Sequence, residues 1–367
     1  MKRLIKAIIV IVSAVLMSGI FSFSVLAEDS SVSDEEIRGQ VNEMLEEYDI
    51  SYSYDDMGEL SLRGMLSSIK EAALTRIKAP MRLLGIILII VIFISFMKNV
   101  GETAFPENSS ANLYNLVCVL SAVAVVSPPL MELYENAADT LERGGGFMLV
   151  FVPVFAGITI MSGGITSGAI YNTVVLGAAE IMVQLAANIV MPVLTMTAAL
   201  SISGSVFPNA TLDSITQLMR KIITWGLTAA VTLFTGFVSL KSTLGSSVDG
   251  FATKTIKFLI SGFVPIVGSA VSDAYATVRG SFDIMRCTAG TAGTIAVVLI
   301  MLPPILETAA FRIVMWTAKT AAEMFSVTPL EKLFKGLDAG LAIVMSVLIC
   351  FSVLFVISTA ILMKSTA

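Results

Sequence analysis

Long apolar stretches at about 83–98, 113–131, 147–165, 169–202, 222–240, 256–272, 288–306 and 341–363 run through most of this chain. A helix needs roughly 17–25 mostly apolar residues to cross a bilayer, and most of these stretches comply. The first is short and must borrow Ala79–Arg82. The 169–202 stretch exceeds one crossing, and Pro192 is positioned to kink or divide it. The expected fold class is therefore all-α, a polytopic transmembrane helix bundle of about eight spans. Composition agrees: 56% of residues are hydrophobic and 14% charged, where a soluble domain carries about 25% charged, and the mean hydropathy is +0.87.

Three regions precede or interrupt this pattern. Residues 1–27 have the layout of a secretory signal: Lys2, Arg3 and Lys6, an apolar stretch from Ala7 to Phe23, then Val25-Leu26-Ala27 before Glu28. A cleaved signal is expected, an uncleaved anchor being the other possibility. Residues 28–80 form an external acidic segment. Ile37, Val41, Met44, Leu45 and Tyr48 make one helical stripe there, and Leu62, Met65, Leu66, Ile69, Ala73 and Ile77 a second. Residues 81–367 form the transmembrane bundle, with a cytoplasmic amphipathic stretch at 307–340. In that stretch Arg312, Lys319 and Glu323 oppose Phe311, Val314, Met315, Ala318 and Phe325. Thr328-Pro329-Leu330-Glu331 reads as a capping box with Thr328 as N-cap, and Gly336 as the end of a short helix. Glu307 and Arg312 read as snorkelling surface groups.

Basic residues are retained on the cytoplasmic side. The connection with Lys241, Lys254 and Lys257 and the one with Arg312, Lys319, Lys332 and Lys335 are thus expected inside, and Glu132, Glu135, Asp139 and Glu142 outside. This scheme leaves Arg220, Lys221, Arg279 and Arg286 outside, against the rule. Lys254 and Lys257 are candidate cytoplasmic contacts.

The sequence argues against several classes of function. It has no histidine, the commonest general base and metal ligand. Cys118, Cys287 and Cys350 lie far apart in or beside apolar helices, as buried thiols do. No G-x-x-x-x-G-K-[ST] loop is present to cradle a triphosphate. An acidic start and the lack of a basic patch with interleaved aromatics argue against nucleic acid. No catalytic, cofactor-binding or metal-ligating residues are expected, and the chain is expected not to be an enzyme. Membrane lipid is its expected surrounding.

Irregular backbone at membrane depth must line a cavity or be buried in protein, and two segments qualify. Pro153 leads to Ser162-Gly163-Gly164-Ile165-Thr166-Ser167-Gly168, a broken helix or tight hairpin. Gly262, Pro265 and Gly268 precede Asp273. Both segments contain F-V-P, which fits either the paired broken helices of an inverted repeat or ordinary small-residue packing. Glu180, Gln184 and Asn188 recur at four-residue steps, with Thr195 continuing the face. They fit a pathway lining or interhelical hydrogen bonding.

The run Asp249-Gly250-Phe251-Ala252-Thr253-Lys254-Thr255-Ile256-Lys257-Phe258, with Phe263-Val264-Pro265-Ile266-Val267-Gly268 and Asp273-Ala274, resembles the stage III sporulation protein AE family. The Ser162-Gly163-Gly164 stretch and the long apolar C-terminal half are similar to it too. The resemblance implies a multi-pass protein of endospore-forming bacteria, in the mother-cell membrane surrounding the forespore. It implies membership of a secretion-like channel complex required for endospore formation. Implied partners are other stage III sporulation proteins, including a cytoplasmic ATPase and intermembrane ring proteins. The alternative reading is a stand-alone secondary transporter with its site at the broken helices.

Overall fold

The computed structural model describes residues 62–104, 110–185, 188, 191–206, 212–263 and 268–364. The signal region, the Ile37 stripe and Pro265 lie outside the described residues. Among the described residues seven α-helices follow one another: α1 (Leu62–Ala104), α2 (Ser110–Met161), α3 (Ile165–Leu185), α4 (Met191–Val206), α5 (Leu212–Phe263), α6 (Gly268–Met324) and α7 (Thr328–Lys364). Among the described residues there is no strand, as expected. Five helices, α1, α2, α5, α6 and α7, are long and apolar enough to cross a membrane.

The count of eight separate spans is not what these helices display. Stretch 113–131 and all of 147–165 up to Met161 lie in α2, which at 1.5 Å per residue is about 78 Å long. Stretch 222–240 lies inside α5. Stretch 256–272 straddles the connection between α5 and α6, so its ends belong to two helices. The second amphipathic stripe, from Leu62, continues without a break into the first span across Pro80. α3 is described to Leu185 and α4 from Met191, next to Pro192; most residues between them lie outside the described ones. Gly336 does not end a helix: α7 runs through it, and the missing side chain leaves room for Ser201 of α4.

α7 is the central helix, packing on α2, α3, α4, α5 and α6. Its apolar window is mostly buried, because Leu, Val, Ile and Phe occur all round it and every face meets a neighbour. The core centres on Phe147, Phe151 and Phe155 of α2. These stack on one another with ring centroids 5.5 Å apart, and Phe355 of α7 meets Phe151 edge-on at 5.7 Å. Their four-residue spacing places all three on one face. Gly144 and Gly290 let Phe351 and Phe155 approach α2 and α6 closely, and Gly293 does the same for Phe151.

Two polar levels bracket this core. At one, Arg76 pairs with Glu307 at 2.8 Å and Arg312 with Asp338 at 2.9 Å. Both Glu307 and Arg312 are thus ion-paired between helices, not snorkelling alone. Tyr134 of α2 faces Gly340 of α7 here. At the other level sit the Gly163 hairpin, Arg279, Arg286 and the end of α7. Glu142 of α2 to Gly163 of the hairpin and Arg286 to Glu307 in α6 each take 21 residues, about 31 Å. That is one hydrocarbon thickness. The acidic 132–142 segment and the 307–340 stretch, expected on opposite sides, therefore share a level. Arg279, expected outside, donates to Thr253, expected inside. The charge count assigned these residues to loops between spans, whereas they lie on the surfaces of continuous helices.

The α6–α7 turn is tight. Ser326 takes a positive φ of 57°, and Val327 N–H returns to Ala322 O at 2.9 Å while Ser326 N–H bonds Glu323 O. This is a paired C-terminal closure normally built on glycine. The Glu331 N–H bonds the Val327 carbonyl at 3.2 Å, so Val327 stands at the N-cap, one residue before the expected Thr328. Phe311, Val314, Met315 and Ala318 are buried as expected, while Phe325, past the helix end, is exposed.

Candidate functional site

The glycine-rich segment after Pro153 is a helical hairpin. Pro153 itself lies inside α2. α2 ends at Met161, and Gly163, with a φ of +89°, reverses the chain. Gly163 N–H bonds Ile160 O and Gly164 N–H bonds Thr159 O, both at 3.0 Å. These two bonds close the last carbonyls of α2, a geometry that glycine adopts without steric cost. Gly164 then begins α3, its carbonyl accepting from Gly168 N–H at 2.8 Å. Gly168 lies against Ala156 O and Ile160 of the preceding helix, where a side chain would force the hairpin apart.

A glycine N-cap has no side chain with which to satisfy the first amides of its helix. Asp249, on α5, supplies what is missing. Its Oδ1 accepts from Thr166 N–H and its Oδ2 from Ser167 N–H, each at 2.9 Å. Asp249 is only 3% exposed, and its carboxylate sits at the positive end of the α3 dipole. Gly245, one turn earlier on α5, allows this approach: a Cβ there would lie 3.0 Å from Ser167 Oγ.

Around this clamp lie further charges. Arg279 of α6 rests its guanidinium on Gly163 and donates from Nη1 to Thr253 Oγ1 of α5; Thr253 in turn donates to the Asp249 carbonyl at 2.8 Å. One helical turn on, Asp283 lies 3.4 Å from Arg286. Arg286 is 1% exposed and donates from Nη2 to Met363 O at 3.2 Å, placing a cation at the negative end of α7. Two helix ends are thus held by charged side chains, the start of α3 by Asp249 of α5 and the end of α7 by Arg286 of α6.

The remaining expected residues are less gathered. Glu180 and Gln184 lie on the exposed face of α3, Gln184 Nε2 donating to Glu180 Oε1 at 2.8 Å, and Asn188 is exposed beyond it. They line no interior path among the described residues. Thr195 belongs to α4, so it does not continue their helix. Gly262 lies near the end of α5, Gly268 begins α6, Asp273 and Lys254 are exposed, and Lys257 is in α5. The two F-V-P segments differ in setting: the first is interior to α2, while in the second Phe263 is the last residue of α5. Asp249, Arg279, Asp283 and Arg286 were not among the expected site residues.

Two substitutions test this description. Gly163→Val forces a β-branched residue into the left-handed region, costing about 1–2 kcal/mol from backbone alone. Its melting temperature in detergent should fall well below that of Gly157→Ala, where a Cβ meets nothing; equal values would remove the hairpin from the account. Glu180→Gln, by contrast, keeps the side chain's shape on an exposed face. Its membrane abundance and melting temperature should match the parent's, and a clear loss in either would show that the charge is tied into the bundle.

A bundle of long apolar helices with capped ends and ion pairs at two levels defines a helical membrane protein. The family model for stage III sporulation protein AE matches residues 40–366, and the chain belongs to that family. It is also similar to "Stage III sporulation protein AE" of Bacillus subtilis (strain 168), 21% identical over 284 residues, covering 77% of this chain and 71% of that protein. No solved structure matches it.

Proposed function

We propose that this chain is a non-enzymatic membrane component of a secretion-like channel complex between mother cell and forespore, required for endospore formation. The observation that carries this reading is the family match from 40 to 366, which takes in the hairpin, its Asp249 clamp and all seven helices. The chain sits in the mother-cell membrane around the forespore as a multi-pass protein. Its partners are other stage III sporulation proteins, including a cytoplasmic ATPase and ring-forming proteins of the intermembrane space. A scaffold of this kind needs helix ends held at fixed places by buried bonds, and the Asp249 and Arg286 contacts fit that need. The transporter alternative has its site at the two broken segments with Glu180, and the exposed position of Glu180 gives it no support from that residue.

Purification of the tagged chain from sporulating cells after mild crosslinking tests this function. Recovery of the ATPase and the ring proteins in fixed ratio is the expected result. A chain that purifies alone and moves a solute across liposomes would replace the proposal with the transporter.

A further inference from the structure

Exposed faces of α2 and α5 carry opposite charges. On α2, Glu132, Glu135, Asp139 and Glu142 follow one another at three- and four-residue steps, so they share a face, and all are exposed; exposed Arg143 stands at the end of this row and leaves the face net acidic. Exposed apolar side chains extend that face on both sides: Val117, Leu120 and Met131 before it, Leu149 and Val150 after it. On α5, Arg220 and Lys221 are exposed among exposed Leu218, Ile222 and Trp225. None of the four carboxylates, nor Arg220 or Lys221, has an ion pair or hydrogen bond among the described residues.

The two groups also share a height. Cys350 of α7 donates to the Leu227 carbonyl of α5, and the neighbouring Phe351 lies against Gly144 of α2. Leu227 and Gly144 are therefore level. Both helices run toward the hairpin, where Asp249 meets Thr166 and Ser167. Lys221 precedes Leu227 by about 9 Å and Asp139 precedes Gly144 by about 7.5 Å. Yet α2 and α5 are not among the helix pairs that pack together, so the acidic and basic groups do not meet within one molecule.

Copies of a membrane protein are inserted in one orientation at one depth. A side-by-side neighbour therefore meets residues at matching height. We propose that α5 of one copy docks on α2 of a second copy, Lys221 facing Glu135 and Asp139, with Trp225 and Leu218 beside it against the apolar flanks of α2 and Arg220 reaching in from the edge of the contact. Apolar flanks lower the local dielectric and strengthen such pairs over those open to water. The contact joins two different surfaces, so it repeats from copy to copy about an axis along the membrane normal and closes into a ring where the rotation allows. Pairing like faces instead would set four carboxylates against four.

Crosslinking of the full-length protein in its own membranes tests the contact. With Cys118, Cys287 and Cys350 replaced by alanine, Glu142→Cys and Trp225→Cys place thiols at matching height and leave the four central charges intact. A short bifunctional thiol reagent should give a ladder of dimers, trimers and larger species. Glu323→Cys with Trp225→Cys, at different heights, should not. Adding Glu135→Lys and Asp139→Lys should cut the ladder several-fold at equal membrane abundance, and Arg220→Glu with Lys221→Glu should restore it. Restoration also shows that the reversed chain still folds. No ladder from the matched pair, a product that stops at the dimer, or a ladder indifferent to charge reversal would each overturn the proposal.

Discussion

Asp249→Ala is expected to be among the most damaging single substitutions in the bundle. It leaves Thr166 and Ser167 N–H, at the start of α3, without acceptors in a buried site. Hydrogen bonds to a charged group contribute about 1.5–3 kcal/mol each, and a buried donor left unpaired costs about 1–3 kcal/mol. A loss on the order of 3 kcal/mol or more follows. In practice this means a large drop in melting temperature in detergent and new protease cleavage at the hairpin. Asp249→Asn keeps one acceptor oxygen but turns an amide NH2 toward the second N–H, so it should fall between. Gly164→Ser in the Asp249→Ala background adds a local N-cap hydroxyl and should recover part of the loss. An Asp249→Ala protein as stable as the parent would show that the two bonds contribute nothing, and the clamp would have to be abandoned.

The second large effect lies in the core. A Cβ at Gly293 would run into the Phe151 ring, and that ring is held between Phe147, Phe155 and Phe355. Overpacking of this kind typically costs 1–3 kcal/mol and occasionally more. Gly293→Leu, with three further heavy atoms beyond Cβ, should reach or exceed the top of that range and lower the amount of protein recovered from membranes. Phe151→Ala alone costs about 3–5 kcal/mol through its cavity. In the double variant the leucine fills that cavity, so the combined loss should be smaller than the sum of the two. Strict additivity, measured by thermal melts of all four proteins, would mean that α2 and α6 do not meet there.

Much of this was legible in the sequence, for identifiable reasons. Runs of Leu, Ile, Val and Phe announce membrane helices because the bilayer demands internal satisfaction of every backbone group. Gly163 and Gly164 announced the hairpin because only glycine closes a helix so cheaply. The charged 132–142 segment misled, since four carboxylates between two apolar runs look like a loop. In α2 they sit on the single outward face of an uninterrupted helix, and their three- and four-residue spacing was the available sign. Glu307 and Arg312 looked like lone surface groups because their partners, Arg76 and Asp338, are remote in sequence. Asp249 was hidden for the same reason, 82 and 83 residues from the amides it meets. One clue was available: α3 begins at a glycine with no Ser, Thr, Asp or Asn to cap it, so an acceptor had to arrive from elsewhere.

That separation has a consequence for how the chain is made. When the hairpin leaves the ribosome, the first amides of α3 have no protein acceptor, and none exists until more than eighty further residues have been synthesised. Until α5 arrives, those amides depend on water or on lipid headgroups. The early hairpin must therefore stay at the membrane surface or in a hydrated setting while α4 and most of α5 are threaded. Docking of Asp249 is then the event that seals it, so the order of assembly is written into which helix holds the cap.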